Sequence, residues 1–262
     1  MNTFKLVFLG TGTSVGVPVV GCDCEVCTSS NPKNKRLRSS VFLESAETKL
    51  LVDTGPDLRQ QSLREGLTEV DAVLYTHCHL DHVAGFDELR AFCWRREERL
   101  PLYANQETLD VLTRMYPWAF ADDNHARGYV RPEKHVIHPE MQIGDFSIEP
   151  IAVQHSTVDT HGYLFQVGDS KKVAYMSDLK YVKEESLPLL EGVDVLITDA
   201  LRYADRPHAT HMAVEEACAL AEQVHAKHLY LTHMSHEVEH EDVNARTPDW
   251  VTPAYDGLEL VL

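Results

Sequence analysis

Long apolar runs are missing from this chain. No stretch approaches the roughly 20 consecutive apolar residues that a membrane helix needs. The apolar run that ends at Leu9 is too short for a signal peptide, and no cleavage pattern follows it. A cytoplasmic protein is the expectation. Positive charge is scarce as well: 24 Lys and Arg stand against 41 Asp and Glu, a formal net charge of −17. Nucleic acids and anionic membranes are bound through several Lys or Arg contacts, so neither partner is expected. Cysteine is too sparse for a disulfide framework. Of six, Cys22, Cys24 and Cys27 crowd together while Cys78, Cys93 and Cys218 are scattered, which suits a metal knuckle better. Gly10-Thr11-Gly12-Thr13 lacks the lysine that would make it a phosphate loop, and reads as a tight turn. No low-complexity tract or linker divides the chain, so residues 1–262 are expected to form one domain.

What is present is ordinary for a soluble enzyme, with 44% hydrophobic and 25% charged residues. The outlier is histidine, at fifteen residues, which points toward metal binding.

Strands are expected at Lys5–Leu9, Ser40–Glu44, Lys49–Asp53, Ala72–Tyr75 and Leu100–Ala104. Later ones are expected at 135–138, 146–153, 162–167, 172–176, 194–198, 228–231 and 258–261. Helices are expected over 58–66, capped by Asp57, and over 83–99, 106–115, 184–191 and 212–224. Residues 15–38 read as loop and 117–134 as an irregular insertion. Strand runs alternating with helices in two similar halves imply an α/β protein, a four-layer α-β-β-α sandwich.

The chemistry concentrates in His77-Cys78-His79-Leu80-Asp81-His82, directly after the apolar run Ala72–Tyr75. Residues two apart in an extended segment share a face, so His77 and His79 can reach one ion together, with Cys78 turned away. Asp81 and His82 fall where the chain enters a helix and can face a second ion. Imidazole with carboxylate suits zinc, manganese or iron. His155, Asp178 and His233 each follow an apolar run, where open α/β sheets place their sites.

His-x-His-x-Asp-His followed by His155, Asp178 and His233 resembles the metallo-β-lactamase superfamily over nearly the whole chain. The resemblance implies that His77, His79 and His155 hold one metal, that Asp81, His82 and His233 hold another, and that Asp178 bridges them. Asp53, closing the strand Leu50–Val52, resembles the family's buried aspartate that orients the ligand imidazoles. Two divalent ions about 3.5–4 Å apart can share a hydroxide and clamp substrate oxygens.

Gly21-Cys22-Asp23-Cys24-Glu25-Val26-Cys27 offers three thiolates and lacks a fourth ligand. Together with Gly10-Thr11-Gly12 and Leu231-Thr232-His233-Met234-Ser235-His236, it resembles the PhnP-like branch of phosphoribosyl cyclic phosphodiesterases. That resemblance makes His236 the fourth ligand of a structural zinc with Cys22, Cys24 and Cys27. The coenzyme-PQQ biosynthesis protein PqqB carries a similar knuckle, so the knuckle does not fix the substrate. The branch implies hydrolysis of a small, cyclic phosphate diester, two active-site metals (zinc or manganese), and a homodimer; the same scaffold also admits hydrolysis of another ester, a thioester or a lactam, or a PqqB-like accessory or carrier role. Catalysis would fall to Asp81, itself a ligand, and to a general acid near Pro207-His208-Ala209-Thr210-His211. His211 fits best and His208 competes. Arg202 could contact a phosphate through its planar fork, and His208 could do the same. His161 could line the pocket or lie on the surface. The basic stretch of Lys33, Lys35, Arg36 and Arg38 reads as a solvated loop. His125, His135, His138, His225 and His228 have no constellation around them.

Overall fold

The structure, a computed structural model, describes residues 3–94, 96–124, 126 and 128–262; His125 lies outside the described residues. Among these, the strands in chain order are β1 (Lys5–Gly10), β2 (Ser40–Glu44), β3 (Lys49–Val52), β4 (Ala72–Leu74), β5 (Leu100–Ala104), β6 (Pro132–Val136), β7 (Met141–Ile143) and β8 (Phe146–His155). They continue with β9 (Val158–Val167), β10 (Val173–Met176), β11 (Tyr181–Val182), β12 (Val195–Asp199), β13 (Leu229–Thr232), β14 (Val251–Pro253) and β15 (Glu259–Val261). One sheet runs β15-β1-β2-β3-β4-β5-β6. The other runs β11-β8-β9-β10-β12-β13-β14, with β7 on β8. Each begins with antiparallel pairs and finishes as a parallel run, β3 to β6 in the first and β10, β12, β13, β14 in the second. The halves repeat one another in architecture, as expected for the α-β-β-α sandwich.

Strand alternation explains the layers. On β1, Leu6 and Phe8 face the second sheet while Val7 and Leu9 face outward. Tyr175 and Ile197 answer from the second sheet, while Met176 and Leu196 turn to its outer face. The inner faces thus meet in one apolar layer. The outer face of the first sheet is covered by Leu58, Phe86, Leu109 and Leu112. That of the second is covered by Val214, Ala217, Leu220 and Val243. Because β1 to β4, β10 and β12 are covered on both faces, they read as continuous apolar runs.

Several local expectations are corrected. The segment 83–99 is not one helix but short turns at Leu80–Val83, Phe86–Leu89 and Arg90–Cys93. Gly85 accounts for the break: its N–H donates to Thr54 O (2.8 Å), and its Cα lies so close to the Gly55 carbonyl that no Cβ fits. Asp57 precedes the helix Leu58–Glu65 without capping it through its side chain; its carboxylate instead accepts from Arg38 N at 2.9 Å and Arg38 Nη1 at 3.2 Å. The loop 15–38 contains a helical turn at Glu25–Thr28 and another at Pro32–Asn34. The insertion contains the helical turn Pro117–Phe120. The strand placed at 135–138 runs from Pro132 to Val136. The helix His240–Arg246 and strand β14 were not anticipated.

Arg36 overturns the reading of the basic stretch as solvated. Its side chain is completely buried: Nη1 donates to Thr11 Oγ1 (2.9 Å) and to Ala254 O (2.6 Å), and Nη2 lies 3.4 Å from His240 Nδ1. Burial pushes its pKa down to about 10, opposed by the nearby charges of Asp256 and Glu239. A guanidinium tolerates burial because its donors can be placed on acceptors. No helix among the described residues is long and apolar enough to cross a membrane.

Candidate metal centre

The C-terminal ends of the central strands converge at one edge of the sandwich. From the first sheet, the chain leaves β3 at Asp53 and β4 just before His77. From the second, β8 ends on His155, Asp178 follows β10, β12 ends on Asp199 and His233 follows β13. Three of these turns use left-handed backbone at non-glycine residues, φ 65° at Asp53, 50° at Ser156 and 53° at His233, a conformation that costs free energy and is held by surrounding contacts.

The structure divides the expected ligands into two clusters. In the first, His79 Nδ1 lies 3.0 Å from His77 Nε2 and 3.3 Å from His155 Nε2. Ligand nitrogens about 2.0–2.1 Å from a tetrahedral ion stand roughly 3.3 Å apart, so three imidazoles at this spacing surround a position suited to one ion. In the second cluster, His82 Nε2 lies 3.2 Å from both Asp81 Oδ2 and Asp178 Oδ2, and His233 Nε2 lies 2.8 Å from Asp178 Oδ1. Asp178 therefore reaches both imidazoles of the second cluster, one with each oxygen, and it also stands within ligand range of His155.

The donor set fits metal ions by two observations. His82 Nε2, both nitrogens of His233 and Asp178 Oδ2 are buried without a hydrogen-bond partner. Buried polar atoms left unpaired are costly and rare, and a cation supplies the missing partner. The site also gathers four carboxylates, Asp53, Asp81, Asp178 and Asp199, all buried or nearly so. Burial works against charge on His82, but Asp178, Asp81 and Asp53 hold its pKa well above the usual range. Burial and neighbouring His82 push His77 well below it. So much negative charge out of water calls for compensation, and divalent cations provide it.

Outer contacts fix the imidazoles. His82 Nδ1 and Asp53 Oδ2 are 2.8 Å apart, and Asp53 also accepts from Thr76 N and Thr76 Oγ1, each at 2.8 Å. His155 Nδ1 donates to Thr210 O at 3.0 Å. Gly55 packs against the Asp81 carbonyl so closely that a Cβ would displace it. Replacing Asp53 with Asn removes the carboxylate that sets the His82 tautomer, and is expected to weaken metal binding about 10–100-fold. Competition against a chelator measures this; unchanged affinity would contradict the orienting role.

His211 stands over the same pocket. Its ring centroid is 4.7 Å from that of His155 and 4.8 Å from that of His233, and Nδ1 is 2.7 Å from Asp199 Oδ2. Burial raises the Asp199 carboxyl well above its ordinary range and lowers His211. His208 lies one layer further out, its ring 5.0 Å from His211 and its Nδ1 turned to Thr210. Arg202 pairs with Glu237 at 3.5 Å and leaves a buried Nε without a partner. His161 donates its backbone N–H to Thr76 O (3.0 Å), and its ring Nδ1 is buried without a hydrogen-bond partner. Asp199 was missed in the sequence, although it carries the same signal as Asp53 and Asp178, a carboxylate closing an apolar strand.

The structure brings the three knuckle cysteines and His236 together. Cys22, Cys24 and Cys27 place their sulfurs 3.3, 3.5 and 3.5 Å from His236 Nδ1. A tetrahedral zinc with bonds of about 2.3 Å to S and 2.0–2.1 Å to N separates S from N by roughly 3.5 Å, so the four atoms fit zinc. Burial raises the Cys27 thiol to about 11, while the Cys27 N–H lowers Cys24 to about 6.

Residues 48–234 match the family model of the β-lactamase superfamily domain. The crystal structure of a diphosphatase from the PhnP family superimposes with a TM-score of 0.90 at 38% identity, covering 100% of this chain and 98% of that one. Zn²⁺-bound PqqB from Methylobacterium extorquens gives a TM-score of 0.77 at 23% identity over 98% of this chain and 99% of that one, a likeness of fold. The octanoyltransferase of Porphyromonas gingivalis (strain ATCC BAA-308 / W83) is 34% identical over 98% of this chain but 51% of its own length. The chain spans about half the length of the first curated relatives it matches.

Proposed function

The chain belongs to the β-lactamase superfamily, and on that basis we propose that it is a binuclear metal-dependent hydrolase of a small phosphate ester. His77, His79 and His155 would hold one ion; Asp81, His82 and His233 the other, with Asp178 between them. Ions bound there would supply Lewis acidity and neutralise charge developing on phosphoryl oxygens. The chain's own contribution to the chemistry is proton transfer and anion recognition. The observation that carries the reading is the Asp199–His211 pair, 2.7 Å apart and facing the ligand histidines. An alkoxide leaving a phosphodiester needs a proton, and His211 is placed to deliver it from Nε2 while Asp199 holds Nδ1. His208 and Arg202 flank the same opening and suit the remaining phosphate oxygens. Kinship with a PhnP-family diphosphatase supports phosphoryl chemistry, and a cyclic diester is the substrate form we favour.

The octanoyltransferase relative motivates a second reading, hydrolysis of an acyl ester or thioester on the same metals. A thiolate leaves without a proton, so the Asp199–His211 pair would be idle in thioester hydrolysis. Assaying the metal-loaded protein on a cyclic phosphodiester, a diphosphate diester, a lactam and a thioester separates the readings. Turnover of the phosphoryl substrates alone is expected, with three ions per chain by elemental analysis. Turnover of thioester alone would overturn the proposal.

A further inference from the structure

The knuckle and the second ligand cluster share one turn. His233 follows β13 and His236 lies three residues on. The turn between them is built on the left-handed backbone of His233. It is held from outside: Met234 N donates to Thr11 O (2.9 Å), Thr13 N to Met234 O (3.3 Å), and Ser235 N to Leu201 O (3.1 Å). The Thr11–Thr13 segment that grips Met234 is the start of the knuckle loop, and is tied back by Gly12 N to Leu37 O (2.8 Å) and Arg36 N to Val17 O (2.7 Å).

Packing does little to hold the knuckle in place. Its apolar cluster is Val17, Val26 and Cys27, with Val19, Cys22 and Cys24 partly covered, and Val20 is 98% exposed. A segment that buries so little apolar surface does not offset the conformational entropy of ordering it. A bound ion does, by joining Cys22, Cys24 and Cys27 to His236. The first cluster has no such dependence, since His77 and His79 follow β4 and His155 is held by Thr210.

We propose that His236, through the knuckle ion, is a positioning residue for the active centre: it fixes the turn that presents His233, so that an occupied knuckle raises metal affinity at the Asp81–His82–Asp178–His233 cluster and leaves the His77–His79–His155 cluster unchanged. The inference rests on the ligand assignment proposed above. By linkage the effect is reciprocal.

Manganese is the probe, because thiolates select softer ions while imidazole and carboxylate accept it. The parent protein, loaded with one equivalent of zinc at the thiolates, is titrated with Mn²⁺ by calorimetry and electron paramagnetic resonance, beside Cys24→Ser and His236→Ala. Both variants are expected to bind the first Mn²⁺ as the parent does. The second should bind about 5- to 150-fold more weakly, so that the spin-coupled pair gives way to a single-ion signal. Three outcomes overturn the proposal. One is unchanged binding of both ions. Another is equal weakening at both sites, which marks general loosening. The third is weakening in His236→Ala but not Cys24→Ser, which assigns the effect to the turn without the ion. A parent that binds no Mn²⁺ pair removes the ligand assignment itself.

Discussion

Replacing Asp178 with alanine is expected to empty the Asp81–His82–His233 cluster and reduce hydrolysis to background. The carboxylate lies 2.8 Å from His233 and 3.2 Å from His82, each through a different oxygen, and within ligand range of His155. Without it the remaining ligands are two imidazoles and Asp81, and the negative charge that attracts the ions falls. The fold should suffer as well. Asp178 is buried beside His82 and His233, whose imidazoles hold its carboxyl well below the usual carboxylate range, while Asp178 in turn holds His82 well above its own. In the metal-free protein, removing it leaves the buried His82 imidazole short of its leading charge partner. The metal-free variant is therefore expected to unfold at a lower temperature than the metal-free parent. Elemental analysis, turnover and thermal melts of stripped protein measure the three parts. Full activity in the variant would sink the mechanism.

The second large effect belongs to His211. Substitution by alanine should lower kcat about 10²–10⁴-fold, the range for losing a general acid, with a smaller change in KM. The loss should depend on the leaving group. An alkoxide needs the proton and suffers the full effect, whereas a nitrophenolate leaves unaided and loses little. Asp199→Asn should follow the same trend less steeply, since the amide can still hold His211 but no longer shares its proton. His208→Ala should raise KM instead, because its Nδ1 is engaged by Thr210 and its ring stands outside His211. A uniform loss across leaving groups would assign His211 to binding and not to proton transfer.

Much of this architecture was legible in the sequence because it rests on local rules. Apolar runs such as Leu50–Val52 and Val195–Ile197 are buried on both faces and announce themselves. His77, His155, Asp178 and His233 each sit two positions beyond such a run, with His79, Asp81 and His82 following His77 in the same loop, so strand ends and ligands are read together. The failures share a different cause: contacts made far along the chain. Arg36 sits among Lys33, Lys35 and Arg38 and reads as solvated, yet its partners are Thr11, Ala254 and His240. Asp57 stands at a helix start but is claimed by Arg38. The helix expected over 83–99 is broken at Gly85 by the approach of Gly55. Asp199 carried a readable signal but no local partner; its meaning comes from His211, brought beside it by the chain's return after β12. His236 became a knuckle ligand only through family resemblance, and here its imidazole does lie among the three sulfurs.

The ligands come from both sheets: His77, His79, Asp81 and His82 from one, His155, Asp178 and His233 from the other. Two metal ions held there would rivet layers that otherwise meet through an apolar seam and hydrogen bonds such as that from Tyr163 Oη to Tyr75 O (2.6 Å). Metal content then becomes a gauge of how well the halves are seated. Substitutions at the buried seam, at Phe8, Tyr163 or Ile197 for instance, would register first as metal leakage and only later as unfolding. Inactivating changes scattered through the interior would thus converge on one biochemical symptom, and added metal would rescue many of them.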